Sequence, residues 1–261
     1  MNLQTTKKSE NNKLEHYVIS SWEDENLNLD TSLLRGIYAF GFEKPSPIQC
    51  KALMPMTSEN KRDIIAQAQS GTGKTGAFAV GVLQKLCNSN YKNIEHTFAL
   101  ILAPTHELAA QSLACIKNIS KFMKPEVRVE LIVGGTSIED NKKRLIQNKP
   151  HIVVGTPGRV QDMIRRKYLK IDNLSITVID EADEMFSSGF QEQIYKIFQH
   201  MPQNIQIGLF SATMDNDLEE LSKKFMINPI KILVKAEQLT LQGIAQYYIN
   251  LDDDMQKYET L

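Results

Sequence analysis

Apolar residues in this chain gather into short continuous runs, and the stretches between those runs carry helically spaced patterns. Ile64-Ile65-Ala66, Thr97 to Ala103, Val127 to Val133, His151 to Val154, Ile176 to Ile179, Ile205 to Phe210 and Ile230 to Val234 each predict a strand, the first two of them buried. Leu33, Leu34, Ile37 and Tyr38 recur at helical spacing behind Asp30, a suitable N-cap, and the pattern runs to Gly41. Pro45 and Pro47 forbid its continuation, and a second helix is expected from Gln49 to Met54. Further helices are predicted from Lys74 through Ala79, Val82, Leu83 and Leu86, from Glu107 to Phe122, and from Ser137 to Gln147 with Thr136 as cap. Two more are expected, one reaching about Arg166 and one from Asn216 to Phe225. Strands alternating with helices of this length predict an α/β fold, a parallel sheet with helices on both faces. One domain is expected over residues 25–236, behind a flexible tail at 1–24. Residues 237–261 are expected to be a linker and the start of another sheet at Tyr247-Tyr248-Ile249.

The chemistry-bearing residues sit where the predicted strands end, the edge at which open α/β sheets bind ligands. After Ile64-Ile65-Ala66 comes Gln67-Ala68-Gln69-Ser70-Gly71-Thr72-Gly73-Lys74-Thr75, small residues that break the strand before Lys74 and Thr75 open a helix. Strand, tight loop and helix in that order form the setting of a phosphate-binding P-loop. Backbone N–H groups of Gln69, Ser70, Gly71, Thr72 and Gly73 would turn inward beneath a polyphosphate, with the helix dipole behind them. Lys74 would neutralise the outer phosphates, and the Thr75 hydroxyl would ligate Mg²⁺. Ala68 stands at the first loop position, where the general pattern has Gly. Asp180 and Glu181 follow the apolar run Val178-Ile179; Asp180 suits a magnesium-holding acid, and Glu181 a proton acceptor for attacking water. An isolated acidic run at a strand end is usually a solvated turn, but this one accompanies a complete Gly-Lys-Thr.

Bulk composition removes alternatives. With 42% hydrophobic and 23% charged residues over 261 positions, the chain has ample material for a core, and no apolar run reaches membrane-spanning length. A net charge of −1 means that any nucleic-acid surface must be local. Cys50, Cys87 and Cys115 lack metal-ligand spacing and predict reduced thiols, in keeping with a cytoplasmic or nuclear setting.

Taken in order, Gly-Phe-Glu-Lys-Pro-Ser-Pro-Ile-Gln ending at Gln49, Ala-Gln-Ser-Gly-Thr-Gly-Lys-Thr, Pro-Thr-His-Glu-Leu-Ala, Gly134-Gly135, Thr-Pro-Gly-Arg, Asp-Glu-Ala-Asp and Ser-Ala-Thr resemble the DEAD-box RNA helicases over residues 22–261. Leu33 to Pro45 is most similar to the translation-initiation-factor branch of that family. The resemblance implies a RecA-like P-loop ATPase lobe that uses ATP and Mg²⁺ and binds RNA without regard to sequence. It also makes Ala68 the ordinary residue at its position. It assigns adenine recognition to Gln49, stacking on the base to Phe42, and to Ser211 and Thr213 hydrogen bonds with the acidic tetrad that link nucleotide state to RNA. RNA contacts fall to Pro104, Thr105, His106, Gly135, Thr156, Pro157, Gly158 and Arg159. Trp22 is expected only to pack.

The chain departs from the family pattern in having His106 and Ser188 where Arg is usual. A neutral imidazole at 106 forfeits roughly one phosphate contact, so weaker and less salt-sensitive RNA binding is expected. The family also uses a second RecA-like lobe bearing arginine fingers, and regulatory protein partners are expected alongside RNA. No arginine-rich helicase motif follows Leu241 to Tyr248, so either the sequence is a fragment or the second lobe is supplied elsewhere, and these residues alone should bind nucleotide weakly and unwind nothing. A P-loop kinase or transporter would share the phosphate chemistry without explaining Gln49 or Thr156-Pro157-Gly158-Arg159. A non-catalytic module has no use for Lys74, Asp180 and Glu181 together, and a DNA-directed ATPase remains the alternative within the same chemistry.

Overall fold

The computed structural model describes residues 17–214, 216–234, 249–251, 256, 257 and 260. Seven four- to six-residue strands form one sheet, β1 (Ile64–Gln67), β2 (Ala99–Leu102), β3 (Val129–Ile132), β4 (Ile152–Gly155), β5 (Ile176–Ile179), β6 (Gln206–Ser211) and β7 (Ile230–Leu233). Their order across the sheet is β3-β4-β2-β5-β6-β1-β7, and all neighbours run parallel. The expected α/β class and parallel sheet are therefore present.

Period-two alternation divides the strand residues between two cores. Ile64, Ala66, Ile101, Val154, Val178 and Phe210 face one way. On that face pack α1 (Thr31–Ala39), α2 (Pro47–Thr57), α3 (Lys74–Asn88) and α4 (His106–Ile119). Ile65, Leu100, Leu102, Val153, Ile179 and Leu209 face the other. That side is covered by α5 (Ile138–Asn148), α6 (Pro157–Arg165), α7 (Ala182–Ser187), α8 (Gln191–Phe198) and α9 (Asn216–Phe225).

Several boundaries differ from the sequence expectation. Pro47 occupies the first turn of α2 instead of preceding it, because the first-turn N–H is unpaired in any helix. Ser137, not Thr136, caps α5 through Asp140 N, while the Thr136 hydroxyl donates to Val133 O at 2.9 Å. α7 and α8 were not anticipated. Ile19 lies inside the stretch expected to be a tail, yet it is buried and its N–H donates to Cys50 O at 3.1 Å; Trp22 is buried too, as its expected packing role requires. Residues 1–16 and the expected linker at 237–248 lie outside the described residues.

Two buried polar groups fix the amino-terminal edge of the sheet. Asp63 accepts from Ile207 N and Ile227 N, both at 2.8 Å, and so ties the entry of β6 and the approach to β7 onto β1. His151 accepts from Arg128 N at Nδ1 and reaches Ile94 O through Nε2, each at 3.2 Å. Burial, reinforced by the Arg128 charge, pushes the His151 pKa down to about 4. The folded protein thus holds this ring neutral, and protonation favours the unfolded chain. The corresponding stability is complete above pH 6.5 and is lost as pH falls towards 4, a contribution of at most about 3 kcal/mol. Urea unfolding at pH 7 and pH 4.5 checks this: His151→Gln should show a smaller loss between the two pH values than the wild type.

Candidate functional site

The end of β1 turns directly into the phosphate-type loop. Gly71 and Gly73 take φ of +80° and +97°, conformations a side chain would strain. Gly73 is the N-cap of α3, so the loop delivers its N–H groups to the positive end of that helix. Close packing holds the turn from behind. A Cβ on Gly76 would sit 2.5 Å from Gln49 Nε2 and 2.7 Å from the Phe42 ring.

Lys74 is only 4% exposed, and its ammonium lies 2.9 Å from Ala68 O and 3.0 Å from Glu181 Oε2. The other Glu181 oxygen accepts from Ser70 Oγ at 3.3 Å. Glu181 has φ of +46°, a left-handed conformation costing a non-glycine residue roughly 1–2 kcal/mol. That strain is stored at the residue chemistry would use. Asp180 beside it is 3% exposed; burial, with the neighbouring Glu181 charge, pushes its pKa up to about 7.

β6 lies between β1 and β5, and its end joins the loop to the acids. Ala68 N donates to Ser211 O at 3.0 Å. Asp183 N donates to Ser211 Oγ at 3.3 Å, and Thr213 donates to Asp183 Oδ2 from N at 2.9 Å and from Oγ1 at 2.8 Å. Burial opposes ionisation of Asp183, but the bonds from Thr213 and Ser211 outweigh it and hold the carboxyl below its ordinary range. Asp183 is thus the member of the acidic run that communicates with Ser211 and Thr213.

A cavity of about 520 Å³ lies over this centre, lined by Phe42, Ser70, Gly71, Gly73, Lys74, Thr75, Asp180 and Glu181 among the residues expected from sequence. Gln49, Gln69 and Thr72 are not in its lining. Gln49 is buried with its amide already engaged, accepting from Ser46 N at 2.7 Å and donating to Gly73 O at 3.1 Å. In this state it braces the loop from behind. Thr72 Oγ1 donates back to Gln69 O at 2.7 Å, stiffening the turn. Phe40 and one face of α4, including Leu108, Gln111, Cys115 and Asn118, complete the lining and were missed. Their three- and four-residue spacing was visible in sequence, but which face meets the cavity was not. Phe42 stacks on Trp22 with ring centres 6.3 Å apart and meets Phe40 edge-on at 4.9 Å.

The donor set fits a magnesium nucleotide. Among the described residues no cluster of three or more His, Cys, Asp or Glu side chains forms a protein-only metal cage. Mg²⁺ needs none, since it keeps several waters and binds through one or two protein oxygens plus phosphates. Thr75 and Asp180 are among the side-chain oxygens lining the cavity, and Lys74 is a cation available to phosphates.

The RNA-type residues occupy the other half of the same edge. β3, β4 and β2 are adjacent, and from their ends come Gly135, Thr156 with Gly158 and Arg159, and Pro104 with Thr105 and His106. Thr105 caps α4 through Leu108 N at 3.2 Å, and His106 opens that helix exposed to solvent. Gly135 and Gly158 have no atom within 4 Å of a would-be Cβ, so a ligand backbone has open approach. Arg159 behaves differently. Its guanidinium donates from one nitrogen to Thr136 O at 2.8 Å, Thr136 Oγ1 at 3.1 Å and Asn141 Oδ1 at 2.7 Å.

Cys50, Cys87 and Cys115 are free, and burial pushes the thiols of Cys87 and Cys115 up to about 12, as expected of inert reduced residues. Among the described residues no helix is long and apolar enough to cross a membrane.

Comparison with known proteins agrees with this geometry. The family model described as DEAD/DEAH box helicase matches residues 46–221. An "ATP-dependent RNA helicase eIF4A" of Pyricularia oryzae is 52% identical over 237 residues, 91% of this chain and 58% of the relative. Its Neurospora crassa namesake is likewise 52% identical, over 91% of this chain and 57% of its own length. This chain therefore spans a little over half the length of these relatives. Among solved structures, a DEAD box protein from Methanococcus jannaschii superposes with a TM-score of 0.76 at 33% identity, covering 93% of this chain and 62% of that one. Saccharomyces cerevisiae Dbp5 bound to RNA and ADP with BeF3 gives 0.76 at 34% identity, over 90% of this chain and 57% of that one.

Proposed function

Because the chain belongs to the DEAD/DEAH box helicase family, we propose that it is the nucleotide-binding, RecA-like lobe of a cytoplasmic ATP-dependent RNA helicase. The observation that carries this reading is the meeting of Lys74 with Glu181 at 3.0 Å, which joins the phosphate loop of β1 to the acids of β5 across β6.

In operation, the phosphates of ATP would draw Lys74 away from Glu181 and into charge neutralisation, for which positioning and electrostatics supply most of the catalysis. Mg²⁺, held by Thr75 and Asp180, would neutralise charge on the phosphate oxygens. Glu181, relieved of its ammonium partner, would accept a proton from the attacking water. Phe42 would pack on the base, and Asp183 with Ser211 and Thr213 would pass nucleotide state through the strand ends. RNA would lie along the ends of β3, β4 and β2, met by Pro104, Thr105, His106, Gly135, Thr156 and Gly158. Contacts of this kind go to backbone phosphates and sugars and carry no sequence information. A second RecA-like lobe would complete the ATP site and supply the arginine fingers, worth about 10³–10⁵ in rate among related NTPases. Support for RNA comes from the relatives' names and from the RNA-bound Dbp5 structure. Dbp5 structures with Gle1 and Nup159 support regulation through protein partners.

The test is nucleotide choice followed by stimulation. The chain should bind a fluorescent ATP analogue displaced by ATP and not by GTP. Fused to the second lobe of a fungal relative, it should hydrolyse ATP faster with single-stranded RNA than with DNA of the same sequence. Equal displacement by GTP, or stimulation by DNA alone, would overturn the assignment.

A further inference from the structure

The opposite edge of the sheet carries a second cavity, of about 420 Å³, which the proposed ATPase does not use. It is walled by residues entering β2 (Glu95 to Thr97), by the end of α5 with Pro150, and by the loop between α6 and β5 (Lys167 to Lys170). We propose that this groove docks an acidic, extended segment of a partner protein, anchored by one aliphatic side chain.

Three observations carry the inference. First, charge: the lining contains three lysines, Lys149, Lys167 and Lys170, against a single carboxylate, Glu95. On a chain whose net charge is −1, this is a local positive pole. Glu95 is exposed and holds Lys149 at 2.7 Å, the position a partner's carboxylate would take. Second, backbone: Lys149 and Lys167 adopt φ of +41° and +61°, where glycine or asparagine is the relaxed choice. Cationic side chains thus stand at two positions that oppose them sterically. Third, apolar surface: Leu145 and Leu169 are buried beneath the groove, while Ile146 at its rim is 56% exposed.

The same residues argue against a second RNA track. Cationic grooves that hold single-stranded nucleic acid commonly add open aromatic faces on which bases stack. Of the two rings in the lining, the larger, Tyr168, is already covered by Lys142, whose Nζ is 5.0 Å from the ring centre, which leaves the imidazole of His96. An aliphatic anchor flanked by carboxylates suits what remains, and the groove stays accessible while the other edge is occupied by nucleotide and RNA.

Fluorescence anisotropy on the full chain, with a labelled Asp-Asp-Ile-Asp-Asp-Leu-Asp peptide, tests the proposal. Binding should be saturable and should weaken as salt rises. The double variant Lys167→Glu, Lys170→Glu should bind at least tenfold more weakly, with ATP-analogue binding unchanged. Glu95→Gln should bind the peptide several-fold more tightly, because it releases Lys149, and a misfolded variant would not show such a gain. Absence of peptide binding, equal binding by the double variant, or no gain with Glu95→Gln would each overturn the proposal. So would displacement of the peptide by a uridine oligomer whose own affinity falls with the lysine pair, which would reassign the groove to nucleic acid.

Discussion

Glu181→Gln is expected to lower ATP turnover by about 10²–10⁴-fold while leaving nucleotide binding as tight as in the wild type or tighter. Without nucleotide, both Glu181 oxygens are occupied, one by Lys74 at 3.0 Å and one by Ser70 at 3.3 Å. Lys74 has one other partner, the Ala68 carbonyl at 2.9 Å, so it exchanges a carboxylate for phosphate when ATP enters. Glutamine keeps the size of the side chain but offers one acceptor oxygen for the two donors, and a neutral amide holds an ammonium less strongly than a carboxylate does. The difference between a charged and a neutral partner is about 1 kcal/mol, or up to about fivefold in nucleotide affinity. The amide cannot take a proton from water, and that loss falls on the chemical step alone. The two effects have opposite signs, which separates them from general damage to the fold. Single-turnover hydrolysis by the two-lobed fusion, with analogue binding to the lobe, measures both. Turnover within threefold of wild type would remove Glu181 from the proton-accepting role.

The sequence displayed the sheet more openly than it displayed the site. Strands such as Val178-Ile179 are buried on both faces, so their apolar runs need no knowledge of partners to be recognised. α8 is equally regular, with Ile194, Ile197 and Phe198 at helical spacing, but no element is predicted from sequence between Asp183 and Ile205. The burial of Ile19 was hidden because it depends on tertiary pairing with Cys50, whereas Trp22, expected to pack, does so against Phe42. Within the site, Lys74, Thr75, Asp180 and Glu181 were visible because phosphate and magnesium chemistry restricts which residue types serve at those spacings. Gln49, to which the family resemblance assigns adenine recognition, also bonds Ser46 and Gly73, a bracing of the loop backbone that no pattern in the sequence announced. Asp183 drew no separate role from sequence, since only the fold brings Thr213 within 2.8 Å of it.

Removal of Arg159 carries the second large effect. Sequence resemblance makes it an RNA contact; the structure commits one guanidinium nitrogen to Thr136 O, Thr136 Oγ1 and Asn141 Oδ1. Asn141 is fully buried, and truncation at 159 removes its shortest donor, leaving the Thr136 hydroxyl at 3.3 Å, which already donates to Val133 O at 2.9 Å. A buried acceptor paired this poorly costs up to about 1–3 kcal/mol. The cheapest relief is movement of the Gly134-Gly135-Thr136 turn away from α6, which separates the RNA-type surfaces at the ends of β3 and β4. Arg159→Ala is therefore expected to weaken RNA binding by roughly ten- to a hundredfold, the same energy read as affinity. Arg159→Lys, able to reach fewer of the three acceptors, should fall between. Salt dependence distinguishes positioning from contact. A lost phosphate contact lowers the slope of log affinity against log salt by about 0.7 for a single strand. A displaced Gly135 loses only neutral backbone contacts and leaves that slope unchanged. RNA titrations of the two-lobed fusion across a salt series, with hydrogen exchange at residues 134–136, decide the matter. A slope reduced by one contact, with exchange in the turn unaltered, would make Arg159 a direct phosphate ligand and end its role as the tie between the two strand ends.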